Sequence, residues 1–147
     1  MENRYLYKAK RTDNGEWVTG FYVKGSDMYG EEVHVIFETD AIFYSHGETD
    51  GLTEIDPSTI CQCTGMKDKN GKLIWENDIF QCTDETMVTQ KDLIEYNETH
   101  AAFVRLRNTE RFGLQYLWID EATCSHGEVI GNIFDNPELL GGKVNDD

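Results

Sequence analysis

The sequence predicts a mainly β protein folded as a small barrel or roll. Three observations point there. Short runs rich in aromatic and β-branched residues recur along the chain, tight-turn signals separate them, and no apolar stretch keeps a helical period long enough to anchor a bundle. A chain of 147 residues fits one domain and can bury a core without disulfide staples. Within that domain, residues 1–55 read as N-terminal hairpins, 56–140 as a barrel-like core and 141–147 as a frayed tail.

The elements follow in order. Tyr5 and Tyr7 alternate with Leu6 and Lys8, and Asp13-Asn14-Gly15 then turns the chain. Residues 17–23, WVTGFYV, have the composition of a strand and complete a hairpin. Residues 33–37 and 41–44 are two further strand candidates, and the polar stretch 45–52 reads as an exposed loop. Residues 60–64 alternate across two faces of one strand. Asn70-Gly71 is the strongest turn signal, with two positive-φ positions expected in a tight hairpin. Leu73-Ile74-Trp75 resumes the strand, and Glu76-Asn77-Asp78 turns it into residues 79–82. Segments 93–96, 101–106, 114–118 and 128–134 all have strand composition. Asn136-Pro137 then has the chemistry of a helix start, with Asn136 as N-cap, and Gly141 and Gly142 stop it.

Charge narrows the function classes. Thirteen Lys and Arg against 28 Asp and Glu leave a formal net charge of -15, which repels phosphate backbones and anionic lipid. The one basic cluster, Lys67, Lys69 and Lys72, surrounds a turn, where solvated lysines are the default. Imitation of DNA is disfavoured because the acids are scattered among apolar positions. No signal-peptide pattern and no membrane-length apolar run is visible, so a cytoplasmic protein with reduced thiols is expected.

Two long motifs then carry a resemblance. Residues 60–79, ICQCTGMKDKNGKLIWENDI, and residues 128–140, EVIGNIFDNPELL, resemble the central and closing signatures of the YopX-type proteins of phages and prophages. Tyr7-Lys8-Ala9 and residues 15–20 fit the family's start. Cys63 stands where an aromatic is usual and Asn77 where Gly is usual, and residues 84–112 match no part of the pattern. Asn tolerates the left-handed backbone that Gly would adopt, so that turn should survive. The resemblance implies a mainly β chain with an SH3-like roll around the central motif, and a phage or prophage origin. It implies no activity, since the family supplies no catalytic or binding residues to carry over. The signatures themselves read as turns (Thr64-Gly65, Asn70-Gly71, Asn77-Asp78) and core (Ile74, Trp75, Ile79, Ile130, Ile133).

Candidate chemistry is sparse. Cys61-x-Cys63, Cys82 and Cys124-x-His126 hold enough soft ligands for zinc, but a strand-borne Cys-x-Cys pair lacks the knuckle turn that aims two sulfurs at one ion. Buried free cysteine is the commoner outcome. His34, His46, His100 and His126 could each serve as a base, but no local motif ties one to a cysteine. Glu54 and Asp56 are close in a chain so acidic that proximity carries no message. Trp17, Trp75 and Trp118 could stack bases in a binding barrel, yet such sites need a cationic groove, so core packing is expected of them.

No catalytic, cofactor-binding or metal residue is therefore assigned. The expected function is that of a non-enzymatic accessory protein acting through protein–protein contact with a phage or host protein. The alternative is a nucleic-acid-associated small barrel using the Lys67–Lys72 hairpin and nearby aromatics. Segments 33–37 and 112–119 carry more apolar surface than a small barrel easily buries, so a homo-oligomer is expected as well.

Overall fold

The structure is a computed structural model that describes residues 2–83 and 85–141. The chain adopts the mainly β fold that its composition predicts, with eleven strands among the described residues. Its contacts divide into two compact units, Met1–Cys63 and Thr64–Asp147.

The first unit begins with a 3-10 turn at Glu2–Tyr5, so the first strand starts later than the tyrosine alternation suggests. Strands β1 (Tyr7–Lys10), β2 (Trp17–Ser26), β3 (Glu32–Phe43), β4 (Thr49–Glu54) and the start of β5 (Cys61–Lys67) lie in the order β4-β3-β2-β1-β5, all pairs antiparallel. Two expectations are corrected. Residues 41–44 are no separate strand, because β3 runs on to Phe43, with its register shifting between Phe37 and Ile42. The polar stretch expected as a loop supplies most of β4, whose pairs include Thr53 with Ile36 and Leu52 with Phe37. An edge strand meets water along one side, so a polar composition suits it.

Alternation sorts the side chains of this sheet. Ala9, Val18 and Ile36 face inward and close with Ile55 into one core cluster, against which Ile60 packs. Gly20 lies on the same face, where β2 meets β3 so tightly that a Cβ would enter the carbonyl oxygen of Phe37. Segment 33–37 is thus mostly spent on pairing and core, with Ile36 fully buried, rather than exposed as its composition suggested.

In the second unit the rest of β5 lies beside β6 (Leu73–Trp75). Strands β7 (Asp78–Thr83), β8 (Thr89–Asn97), β9 (Ala102–Thr109), β10 (Gly113–Trp118) and β11 (Gly127–Asn132) form a five-stranded antiparallel sheet in the order β10-β9-β8-β7-β11. A short helix, α1 (Glu121–Cys124), which the sequence reading lacked, follows β10; the Asp120 carboxylate caps it by accepting the Thr123 N–H at 2.7 Å. Ile74, Phe80, Ile94 and Cys124 form the core cluster of this unit. Ile79 and Trp75 are buried as expected, whereas Ile130 and Ile133 are only half-buried.

The turn at Asn70-Gly71 differs in detail from expectation. Only Gly71 takes a positive φ, 78°. The Gly71 N–H donates to the Asp68 carbonyl and the Asp68 N–H to the Lys72 carbonyl, so the loop is one residue longer than a two-residue hairpin. Asn77 does adopt the left-handed conformation expected of that turn, φ 70°. Pro137–Leu140 forms the expected final turn, as a 3-10 helix. Asn136 does not cap it with its side chain; its Oδ1 accepts the Asn132 N–H at 3.3 Å instead. The tail expected to fray, beyond Gly141, lies outside the described residues.

Candidate functional site

The polar residues of the central signature turn inward. The Thr64 hydroxyl donates to the Ile74 carbonyl at 2.7 Å and accepts the Met66 N–H at 3.1 Å. The Asp78 carboxylate accepts the Trp75 N–H at 2.8 Å and is buried. Asp68, also buried, accepts N–H groups from Asn70 and Lys72 at 2.9 Å each and from Val129 at 3.0 Å. Burial pushes the Asp68 carboxyl up, but the N–H bonds from Val129, Lys72 and Asn70 outweigh it and hold the group below the usual carboxylate range. These side chains satisfy main-chain donors and acceptors that tight turns would otherwise leave buried and unpaired. The closing signature works the same way, with Asn132 Oδ1 accepting the N–H groups of Phe134 and Asp135. Both signatures therefore specify folding.

The residues considered for metal binding or catalysis are engaged elsewhere. Cys61 and Cys63 are buried, and the Cys61 thiol donates to the Thr59 carbonyl at 3.3 Å. Burial, helped by Asp120, pushes the Cys124 thiol up to about 11. His126 Nδ1 lies 2.6 Å from the Ala122 carbonyl. Among the described residues no group of three His, Cys, Asp or Glu side chains could hold a metal ion. Asp56 caps the next turn through Ser58, and His46 meets Glu48 at 2.9 Å on the surface. Glu32, His34 and Tyr22 form a line, with Glu32 2.7 Å from Nε2 and Tyr22 2.6 Å from Nδ1. The order resembles a proton relay. It ends with the Tyr22 ring edge-on to Tyr7, centroids 5.8 Å apart.

One buried constellation escaped the sequence reading. Asp92, fully buried on β8, accepts from Arg107 Nε at 2.7 Å, from Arg107 Nη2 at 2.9 Å and from Arg105 Nη1 at 3.1 Å. The bond to Asp92 raises the Arg107 guanidinium above its ordinary value. Both arginines also reach the Cys82 sulfur, at 3.9 and 3.8 Å. The period of two along β9 puts Arg105 and Arg107 on one face, and this Arg-x-Arg alternation was the only signal available. A bidentate, desolvated ion pair of this kind is a structural lock.

The tryptophans divide three ways. Trp75 is buried as expected. Trp17 is half-buried, with the ammonium groups of Lys8 and Lys10 over its ring at 4.7 and 5.4 Å. Trp118 corrects the expectation of core packing, standing 61% exposed on β10. The basic cluster is exposed and partly neutralised, with Lys69 3.8 Å from Glu128.

What the surface does present is apolar. In the first unit Phe21, Phe37 and Leu52 are successive cross-strand partners on the outer face, and Val23 and Val35 form the next row. The Phe43 ring lies 5.5 Å from that of Phe37. Phe21, Val23, Leu52 and Phe43 are 50%, 41%, 46% and 67% exposed, which makes a contiguous patch of several hundred Å² at order of magnitude. In the second unit Leu114, Tyr116 and Trp118 line the outer face of the edge strand β10. A cavity of about 540 Å³ opens beside them, lined by Leu93, Leu106, Leu114, Leu139 and Leu140.

Fold and surface together define a mainly β protein of two antiparallel sheets whose conspicuous features are structural polar hubs and open apolar faces. The YopX protein family model matches residues 6–141, and the chain belongs to that family. Its fold is similar to that of the protein YopX from Bacillus subtilis, with a TM-score of 0.52 at 15% identity over 93% of this chain and 98% of the other. The protein EF1440 from Enterococcus faecalis is 23% identical over 91% of this chain and 96% of its own, with a TM-score of 0.49. No curated protein matches the chain.

Proposed function

We propose that this chain is a non-enzymatic accessory protein of a phage or prophage, working in the cytoplasm by holding another protein. The observation that carries the reading is the outer sheet face of the first unit, where Phe21, Val23, Leu52 and Phe43 stand open to water. A patch of this size is about the largest that a typical monomer leaves uncovered, and such patches, when rimmed by polar residues, are often docking faces. Here the margin is acidic: Glu54 lies opposite Val35 of that face and Asp50 opposite Ile42. The occupant that fits is a protein surface with an apolar centre and a basic margin. The assigned engagements of the cysteines, histidines and buried carboxylates support the non-enzymatic half of the reading.

The test is affinity capture from phage-bearing cells with wild-type protein and with a Phe21→Ser/Leu52→Ser variant. The expected result is a protein held by the wild type and lost with the variant, whose purified complex weakens as salt rises. Capture of the same proteins by both forms, or a complex indifferent to salt, would overturn it. A low-salt gel shift with single- and double-stranded DNA is expected to show no binding.

A further inference from the structure

We infer that the outer edge of β10 is a self-association edge, which pairs antiparallel with β10 of a second copy. The inference stands apart from the proposed function, because it uses a different sheet. β10 ends its sheet, and no strand among the described residues pairs with its outer side. Exposed edges in monomeric proteins are commonly protected by lysine, proline, an inward charge or a bulge. β10 reads GLQYLW and has none of these: no charge, no proline, and an unbroken register with β9 from Gly113 to Trp118. An unguarded strand is the more telling in a chain whose formal net charge is -15.

The flanking charges favour an antiparallel partner. Glu110 and Arg111 precede the strand, Arg111 exposed and 5.0 Å over the Phe112 ring, whereas two acids, Asp120 and Glu121, follow it. Antiparallel pairing keeps the two acidic ends apart and sets Arg111 toward Glu121 of the other copy; parallel pairing sets acidic end beside acidic end. Strand parity then narrows the register. Leu114, Tyr116 and Trp118 share the outer face, so a continuous apolar face requires even-numbered positions to meet even-numbered ones. Placing Tyr116 on the two-fold axis sets Leu114 opposite Trp118 of the second copy and Arg111 near its acidic end.

Phe112, Leu114, Tyr116 and Trp118 are 64%, 55%, 56% and 61% exposed. Edge pairing continues the sheet, so it buries the main-chain ladder and the flanks of these side chains and sets them beside their counterparts as cross-strand neighbours. Like net charge opposes the pairing, but its reach is only about 8 Å at physiological salt, so the dimer tightens as salt rises.

Sedimentation equilibrium of the full chain from low to high micromolar concentration tests the inference. The wild type is expected to move from 16.9 kDa toward twice that mass. Tyr116→Lys, which sets two lysines opposite each other on the axis, should remain monomeric with an unchanged circular dichroism spectrum. Independently of that variant's folding, Tyr116→Cys should cross-link to itself on oxidation, since paired strands bring such residues to about 4.5–5.5 Å, whereas Gln115→Cys should not. A wild type monomeric throughout, a folded Tyr116→Lys that still dimerises, or equal cross-linking at both positions would overturn it.

Discussion

The Asp68 carboxylate accepts the main-chain N–H of Val129 at 3.0 Å, across 61 positions of sequence, while its other oxygen holds the N–H groups of Asn70 and Lys72. One side chain thus closes its own turn and ties that turn to β11. Asp68→Ala would leave three donors without their partner, and a loss of about 2–4 kcal/mol is expected. Asp68→Asn should lose less, since an amide oxygen still accepts. Urea unfolding at neutral pH, with the midpoint falling and the slope unchanged, is the measurement.

Acid should act through the same residue. Because the folded carboxyl lies below its unfolded value, its stabilisation is complete above the unfolded value of about 3.9 and is lost as pH falls through the lower, folded value. The difference in urea midpoint between wild type and Asp68→Asn should therefore shrink as pH drops below about 4. A difference constant across that window would show that the charge on Asp68 contributes nothing.

Asp92 makes a sharper case. Removing it leaves two largely buried guanidinium groups uncompensated, so Asp92→Ala should cost about 3–5 kcal/mol. Replacing Asp92, Arg105 and Arg107 together by apolar residues of similar volume should recover most of that loss. Thermal unfolding of the two variants side by side distinguishes a buried lock from a surface ion pair, whose removal would cost under about 1 kcal/mol.

Two glycines should fail differently. At Gly20 any Cβ collides with the Phe37 backbone, so even Gly20→Ala should cost about 3 kcal/mol or more. Gly71 has open space around it and only a left-handed φ, so Gly71→Val should cost about 1–2 kcal/mol and Gly71→Asn less. Melting temperatures would rank the three, and an unchanged value for Gly71→Val would count against the turn as described.

Thiol chemistry gives a fifth test. Cys61, Cys63 and Cys124 are buried, and Cys124 carries a thiol raised to about 11, so a thiolate reagent near pH 7.5 should leave these three untouched until the protein unfolds. Only Cys82, half-buried, should label in the native state. Elemental analysis of protein purified without chelator is expected to find no stoichiometric zinc. One zinc per chain, lost together with stability on chelation, would reverse that expectation.

Much of the strand pattern was legible because local chemistry decides it. Trp17-Val18-Thr19 and Leu73-Ile74-Trp75 have β propensity, and Asp13-Asn14-Gly15 and Asn77-Asp78 break the chain whatever surrounds them. β4 was not legible: Thr49-Asp50-Gly51 reads as loop, and only its partner β3 makes it a strand. The buried Asp92 was not legible either, because an acid among 28 others shows its burial only when two arginines from another strand fold over it.

The sequence by itself determined the β class, the turns and the family, since each rests on short-range propensity or on contiguous motifs. Tertiary structure alone decided which polar residues became hubs and which apolar residues stayed outside. Thr64, Asp68 and Asp78 look like surface residues until the strands around them remove water and leave main-chain donors and acceptors to satisfy. Trp118 looks like core, yet it stands 61% exposed on β10, the last strand of its sheet, where fewer neighbours surround a side chain than in the middle. Burial depends on which elements pack together, and that pairing is a long-range property no local window contains.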